Sequence, residues 1–167
     1  DFSRMSKGKM RLALRNVSLR ELVDSALESV RPAADAKHVA IELDLQIVTP
    51  MIGDADRLRQ VIWNLLSNAV KFSNQGGVVQ VRASCTESTT VLTVVDQGQG
   101  IDPDFLPHVF EPFRQANGST TRRHGGLGLG LAIVRQIVHA HGGTIEARSE
   151  GLDTGATFVV ELPLHHS

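Results

Sequence analysis

The most informative stretch of this sequence is residues 60–72, which read QVIWNLLSNAVKF. It lies in a predicted helix that begins after Asp54, because an aspartate there can accept hydrogen bonds from the unpaired backbone N–H groups of the first turn. The helix is predicted to run to about Asn74, and Gly76 and Gly77 end it. Its apolar residues recur at helical spacing and predict one buried stripe, made of Leu58, Val61, Ile62, Leu65, Leu66 and Ala69.

A polar row runs along the same predicted helix. Asn64, Asn68 and Lys71 lie at positions i, i+4 and i+7, so they share one face. Carboxamide oxygens are suitable ligands for Mg²⁺, and an ammonium group offsets the charge of a phosphate. The same spacing is equally compatible with a solvated helix face that binds nothing.

The rest of the chain mixes helices and strands without a regular alternation. Ser18 and Glu21 form a capping box at the start of an earlier helix, and a third helix is predicted over residues 126–141. Strands are predicted at residues 39–47, 78–85, 91–95, 144–149 and 156–162. In the first of them, alternate residues form a half-buried face: Val39, Ile41, Leu43, Leu45 and Ile47. This pattern favours an α/β sandwich in which one layer of helices covers a mixed sheet.

The segment from residue 97 to residue 125 has no long periodic pattern. Only a short helix is predicted there, with Asp102 as its cap and Pro103 in its first turn. A segment of this length inside a compact domain is usually a functional lid or a disordered piece.

The sequence DQGQGI occupies residues 96–101 and follows a predicted strand. A carboxylate at a strand end, followed by two glycines, lets the backbone approach a planar ligand closely. Asp96 can then accept a hydrogen bond from an exocyclic amine. A tight turn that binds no ligand explains the same residues equally simply.

A second glycine-rich segment, GGLGLGL at residues 125–131, leads directly into the third helix. Glycine costs about 1 kcal/mol relative to alanine inside a helix, so retaining several here indicates backbone amides near an anion at the helix start. The spacing matches neither a Walker A loop nor a dinucleotide-binding fingerprint. A structural hinge is the alternative interpretation.

Composition excludes several classes of protein. The 167 residues are 41% hydrophobic and 21% charged, which is typical of one globular domain. A formal net charge of -1 argues against nucleic acid as a partner. The single cysteine, Cys85, excludes an internal disulfide and a cysteine-rich metal site. No apolar run is long enough to cross a bilayer.

Four segments in this order resemble the motifs of one family. Residues 60–72 are similar to an N box, residues 96–101 to a first glycine box, residues 110–113 (FEPF) to an F box, and residues 126–131 to a second glycine box. Over about residues 10–164 the chain resembles the catalytic and ATP-binding domain of sensor histidine kinases, in the GHKL ATPase superfamily. The resemblance implies a Bergerat fold, a two-layer α/β sandwich whose mixed, mostly antiparallel sheet is covered on one face by about three helices, with an ATP lid.

The resemblance also implies a role for each motif residue. Asn64 and Lys71 are the implied catalytic residues, Asn68 the implied ligand of Mg²⁺, and Asp96 the implied acceptor for the adenine amino group. The residues implied to contact the nucleotide are Asn64, Asn68, Lys71, Phe72, Asp96, Gly98, Gly100, Ile101, Phe110, Phe113, Gly126, Leu127, Gly128, Leu129, Gly130 and Leu131.

Three positions depart from the family pattern. Phe72 stands where tyrosine is common, which removes a ring hydroxyl but keeps the stacking surface. Leu127 stands where threonine is frequent, and Gln115 where many members have a phosphate-binding arginine. Arg114, Arg122 and Arg123 are the candidates to replace that arginine, and the sequence does not choose among them.

ATP and Mg²⁺ are therefore the expected ligands, and the expected activity is transfer of the γ-phosphate to a histidine. The hydrolysing relatives have glutamate where this chain has Asn64, and an amide cannot deprotonate water. We expect residues 1–12 to be the end of a dimerisation helix and linker, residues 13–164 the catalytic domain and residues 165–167 a tail. The acceptor histidine would lie on an upstream dimerisation domain, outside this fragment.

The expected partners are ATP or ADP, that dimerisation and phospho-acceptor domain, and the receiver domain of a response regulator. The resemblance implies a cytoplasmic domain of a homodimeric parent, which in some members is anchored in a membrane. Two alternatives on the same fold are a serine kinase of the anti-sigma type and a nucleotide-binding module without catalysis.

Overall fold

The computed structural model describes residues 11–46, 49–112 and 130–164, and the account below concerns these residues. Its α-helices are α1 (Leu19–Ala36), α2 (Ala55–Phe72) and α3 (Gly130–Ala140). Its strands are β1 (Arg15–Val17), β2 (Ala40–Leu45), β3 (Met51–Gly53), β4 (Val78–Cys85), β5 (Thr89–Asp96), β6 (Thr144–Arg148) and β7 (Ala156–Pro163). One turn of 3₁₀-helix, Leu106–His108, follows β5.

The larger sheet has five strands in the order β2-β4-β5-β7-β6. β2 and β4 are parallel, and the other three neighbouring pairs are antiparallel. β1 and β3 form a separate antiparallel pair. The predicted mixed, mostly antiparallel sheet is confirmed. The β1–β3 pair was not predicted, because three residues are too few for an alternating pattern to stand out.

One face of the five-stranded sheet is buried and the other is open. Alternate residues of the three central strands point into the core, and they include Val79, Val81, Leu92, Val94, Phe158 and Val160. The apolar faces of α1, α2 and α3 contribute to the same core. The period of two along each strand therefore places the helices on one face, as a two-layer sandwich requires.

Side chains fix the ends of α2. The Asp54 carboxylate accepts hydrogen bonds from the backbone N–H of Arg57 at 3.2 Å and of Ala13 at 2.9 Å. At the other end, the hydroxyl of Ser73 donates to the Ala69 carbonyl at 2.6 Å. Helix α2 ends at Phe72, two residues before the predicted end, because Ser73 is already extended.

One local prediction was wrong. Leu43 was expected to be half-buried, but it is 43% exposed, because β2 is an edge strand that pairs only with β4. The short helix predicted after Asp102 is present as a turn that continues into the 3₁₀-helix Leu106–His108. Asp102 starts it as predicted, because its carboxylate accepts the N–H of Asp104 at 2.9 Å and its carbonyl accepts the N–H groups of Phe105 and Leu106 at 2.9 and 3.0 Å. Ile47 lies outside the described residues.

None of the helices in the described ranges is both long enough and apolar enough to cross a bilayer. Helices α1 and α2 each have 18 residues, but each carries a charged face.

The burial pattern gives a direct stability test. Leu66 on α2 is fully buried, so Leu66→Ala should lower the free energy of unfolding by about 2–5 kcal/mol. For a domain of this size the melting temperature falls by roughly 2–4 °C for each kcal/mol lost. The control is Leu43→Ala, the same change at an exposed position, which should cost about 0.5 kcal/mol or less. Equal losses in thermal melts of the two variants would contradict the assignment of Leu43 to an open sheet edge.

Candidate functional site

The polar row predicted on α2 is present. Asn64 and Asn68 are half-buried and Lys71 is exposed, whereas the stripe on the core side of the helix is buried. Desolvation by the surrounding protein lowers the pKa of Lys71. Its Nζ lies 5.8 Å from the centre of the Phe72 ring. The helix thus presents two carboxamides, an ammonium group and an aromatic ring along roughly two turns.

Helix α3 begins beside Asn64. A Cβ atom added to Gly130, the first residue of α3, would lie 3.3 Å from Asn64 Oδ1, which is tighter than an ordinary contact. The other side-chain atom, Asn64 Nδ2, donates to the Gln60 carbonyl at 3.0 Å. The end of the second glycine box and the first asparagine of the N box are therefore neighbours. Leu131, the next residue, packs against the core.

Asp96 is the last residue of β5 and is 5% exposed. One of its carboxylate oxygens accepts the backbone N–H of Gly98 at 2.9 Å. Desolvation by burial raises the pKa of Asp96, although backbone hydrogen bonds from Gly98 and Ala156 oppose the rise. A carboxylate held in a buried position, with its charge disfavoured, is a common property of functional sites.

The first glycine box lies against the end of α2. The backbone N–H of Gln99 donates to the Phe72 carbonyl at 3.0 Å. A Cβ atom at Gly98 would lie 1.9 Å from that same oxygen, so only glycine allows this approach. Gly100 has a φ of 70°, a left-handed conformation that favours glycine. The loop that carries Asp96 is thereby fixed to the helix that carries the polar row.

A second loop, residues 149–155, is hydrogen-bonded to the loop of residues 96–101. It was not predicted as part of the site. The backbone N–H groups of Asp153 and Gly155 donate to the carbonyls of Gln99 and Gly98, at 2.7 and 3.2 Å. The Ser149 hydroxyl accepts the N–H of Ile101 at 3.0 Å. The sequence signal was weak, namely two glycines in the turn SEGLDTG between strands.

Lys37 is a further residue that sequence reasoning missed. Its Nζ donates to the carbonyls of Val70 and Lys71, at 3.1 and 2.6 Å. A cation at a helix C-terminus satisfies unpaired carbonyls and interacts favourably with the helix dipole. Lys37 therefore stabilises the end of α2 that carries Lys71 and Phe72. Nothing local in the sequence connects two positions more than 30 residues apart.

The first aromatic residue of the F box is anchored in the core. The Phe110 ring meets the Phe158 ring edge to face, with centroids 6.1 Å apart, and Arg135 Cζ of α3 lies 5.9 Å from the Phe110 centroid. Phe110 thus fixes the middle of the predicted lid to the sheet and to α3.

Several predicted site residues lie outside the described part of the chain. They are Phe113, Gly126, Leu127, Gly128 and Leu129, together with the three candidate arginines Arg114, Arg122 and Arg123. Residues 113–125 of the predicted lid also lie outside the described part. The roles assigned to these residues stay predictions.

The side chains present fit a Mg²⁺ ion that takes one ligand from the protein and the others from water and substrate phosphates. Within the described residues no group of three histidine, cysteine or acidic side chains could hold a metal ion. The half-buried amide oxygen of Asn68 is a hard ligand of the kind Mg²⁺ accepts. An ion that usually keeps several waters and is shared with substrate phosphates needs little more from the protein.

Comparisons with known proteins agree with this geometry. A family model described as "Histidine kinase-, DNA gyrase B-, and HSP90-like ATPase" matches residues 53–166. The hybrid signal transduction histidine kinase D of Dictyostelium discoideum is 35% identical over 196 residues, which cover 98% of this chain and 13% of that protein. This chain thus spans a small part of that relative's length.

Solved structures give the same result. The mycobacterial sensor histidine kinase MprB is 33% identical, with a TM-score of 0.79 over 92% of this chain and 100% of that one. Full-length ShkA in complex with AMPPNP is 33% identical, with a TM-score of 0.85 over 99% of this chain and 34% of that one. The chain therefore belongs to the family of histidine kinase-, DNA gyrase B- and HSP90-like ATPases, as an ATP-binding domain of the sensor histidine kinase type.

Proposed function

We propose that this chain binds Mg²⁺-ATP between α2, the loop of residues 96–101 and the start of α3, and that it supplies the γ-phosphate to a histidine on an upstream dimerisation domain. The observation that carries this proposal is the placement of Asp96. This buried carboxylate accepts the N–H of Gly98, and the loop of Gly98 is fixed to the Phe72 carbonyl, at the end of the helix that carries the polar row.

The adenine end is built around Asp96. A carboxylate can only accept hydrogen bonds, and one of its oxygens already accepts from Gly98. The exocyclic amine of adenine is a donor and would satisfy the remaining acceptor capacity. Guanine presents a carbonyl oxygen at the equivalent ring position, which a carboxylate repels. The Phe72 ring offers an apolar surface for the base.

The phosphate end lies along the polar row. Asn68 would hold Mg²⁺ through its amide oxygen, and Mg²⁺ when bound would neutralise part of the phosphate charge. Lys71 offers a point charge on the same face. Gly130, at the start of α3, lies beside Asn64, and a helix N-terminus favours anions.

The choice between hydrolysis and phosphoryl transfer depends on whether α2 has an acidic residue near the polar row. The only acidic residue in its sequence is Asp56, in the first turn and far from the polar row. Asn64 is neutral and already donates to its own helix, so it cannot take a proton from water. The arrangement favours holding ATP for an external nucleophile over hydrolysing it.

The nucleophile would come from outside the described residues. His141 is buried with both ring nitrogens hydrogen-bonded, so it is a poor acceptor for phosphate. We propose that the acceptor histidine lies on a dimerisation domain upstream of residues 1–12, in a homodimeric cytoplasmic parent. A receiver domain of a response regulator would then take the phosphoryl group from that histidine.

Substitution of Asp96 tests the adenine assignment. Asp96→Asn retains the shape but removes the charge and one acceptor, so ATP affinity should fall and discrimination against GTP should weaken. In the unsubstituted chain, ATP at about 100 times its dissociation constant should add ~2.7 kcal/mol of stability. That corresponds to a rise in melting temperature of several degrees, at roughly 2–4 °C per kcal/mol. Equal ATP-induced shifts in chain and variant would refute the assignment of adenine to Asp96.

The pH dependence of stability without nucleotide provides a second check. Because burial raises the pKa of Asp96 in the folded state, the protonated form stabilises the fold. That contribution is present below the ordinary pKa and is lost as the pH rises through the raised value. Denaturant unfolding across this range should show the unsubstituted chain losing stability relative to Asp96→Asn. A gain in stability relative to Asp96→Asn as the pH rises would contradict this, because it would mean that the fold stabilises the ionised carboxylate.

Phosphoryl transfer is tested by adding the missing partner. The chain alone should show negligible steady-state ATP hydrolysis and no stable self-phosphorylation. Joined to a dimerisation segment with an acceptor histidine, it should transfer labelled phosphate from γ-labelled ATP to that segment. The product should be acid-labile and base-stable. Rapid hydrolysis by the chain alone would favour the hydrolase branch of the family, and an acid-stable label on serine would favour the anti-sigma type.

A further inference from the structure

His141 directly follows α3 and is buried, with 1% of its surface exposed. Its Nδ1 lies 2.9 Å from the carbonyl oxygen of Ile137, and its Nε2 lies 3.0 Å from the backbone nitrogen of Asp54. A carbonyl oxygen only accepts and a backbone N–H only donates. Nδ1 therefore carries the proton and Nε2 is the acceptor, which defines a single neutral tautomer.

The hydrogen bond from Asp54 to His141 joins two helix ends. Asp54 is the N-cap of α2, and its carboxylate accepts the N–H groups of Arg57 and Ala13. His141 lies at the C-terminal end of α3. The ring thus connects the end of α3 to the residue that starts the helix of the polar row, 87 positions away in sequence.

The residue before Asp54 lies close to the His141 ring. A Cβ atom at Gly53 would lie 3.4 Å from Cδ2 and Nε2 of His141 and 2.6 Å from the side chain of Leu58. The ring therefore lies close to the backbone where β3 meets α2.

The start of α3 meets the middle of α2. Gly130, at the start of α3, lies against Asn64 on α2. The helices are therefore antiparallel. The ten residue steps from Asp54 to Asn64 correspond to about 15 Å of helix, and the eleven steps from Gly130 to His141 to about 16.5 Å. These nearly equal lengths place a contact at each end of the paired segment.

We propose that the bond between Asp54 and His141 sets the axial position of α3 along α2, so that His141 is a positioning residue for the nucleotide site. This inference rests on the proposed function, and it concerns a residue about 15 Å from Asn64 along the helix. A shift of α3 along its axis would move Gly130 past Asn64. It would also move the N–H groups at the helix start relative to Asn68, where the phosphates are proposed to lie.

Two substitutions of His141 separate its two hydrogen bonds. In His141→Gln, the amide oxygen can take the place of Nε2 and accept from the Asp54 N–H. In His141→Asn, the shorter side chain reaches only the place of Nδ1, so the contact with Asp54 is lost. Val81→Ala, which removes core volume on β4, is the control for general loss of stability. Two readouts are measured well below the melting temperatures: the NMR signals of the Asn64 side-chain amide without nucleotide, and the dissociation constant for Mg²⁺-ATP.

We expect His141→Asn to shift the Asn64 signals and to weaken Mg²⁺-ATP binding about tenfold or more, because displacement of a binding group by about 1 Å is costly. His141→Gln should restore most of both, and Val81→Ala should leave both unchanged per folded molecule. The proposal is overturned if His141→Asn changes neither readout, or if Val81→Ala changes them equally.

Two further outcomes keep the proposals distinguishable. If the unsubstituted chain does not bind Mg²⁺-ATP, the proposed function fails, and the Asn64 signals alone still decide whether His141 positions α3. If His141→Asn does not fold, the ¹⁵N signals of the ring in the unsubstituted chain decide. A proton on Nδ1 and none on Nε2 supports the bond to Asp54, and a proton on Nε2 overturns it.

Discussion

Burial of one stripe of α2 against the sheet is the constraint on which the candidate site depends. Leu58, Leu65 and Leu66 are each 1% exposed or less, and burying a leucine side chain stabilises a fold by about 1.5–3 kcal/mol. Once this stripe is buried, the helical period determines the direction in which Asn64, Asn68 and Lys71 point. The polar row of the site is therefore a consequence of the hydrophobic core.

Close backbone approach then brings the other parts of the site to α2. Gly98 lies on the Phe72 carbonyl and Gly130 beside Asn64, and a side chain at Gly98 would collide with the helix. Asp96, held by this loop, is a buried carboxylate, and burial raises its pKa. At neutral pH the buried charge therefore lowers the stability of the fold. Such a group is best explained by a ligand whose hydrogen bond offsets the cost of burying it.

The sequence was most informative where structure depends on local periodicity. The buried faces of α1 and α2, including the caps at Ser18 and Asp54, are as the pattern predicts, because a helix repeats its environment every 3.6 residues. The supporting contacts of Lys37 and His141 were not predicted, since each joins residues that only the tertiary fold brings together. Leu43 was placed wrongly because an alternating strand pattern does not reveal that the strand lies at a sheet edge.

The most direct test of the central claim is a crystal structure of the chain with Mg²⁺ and a non-hydrolysable ATP analogue. We expect the adenine amine within hydrogen-bond distance of the Asp96 carboxylate, at about 2.7–3.2 Å. Mg²⁺ should lie about 2.0–2.1 Å from the Asn68 amide oxygen and be shared with the phosphates. A nucleotide bound with its base away from Asp96, or with its metal held by other side chains, would contradict the account.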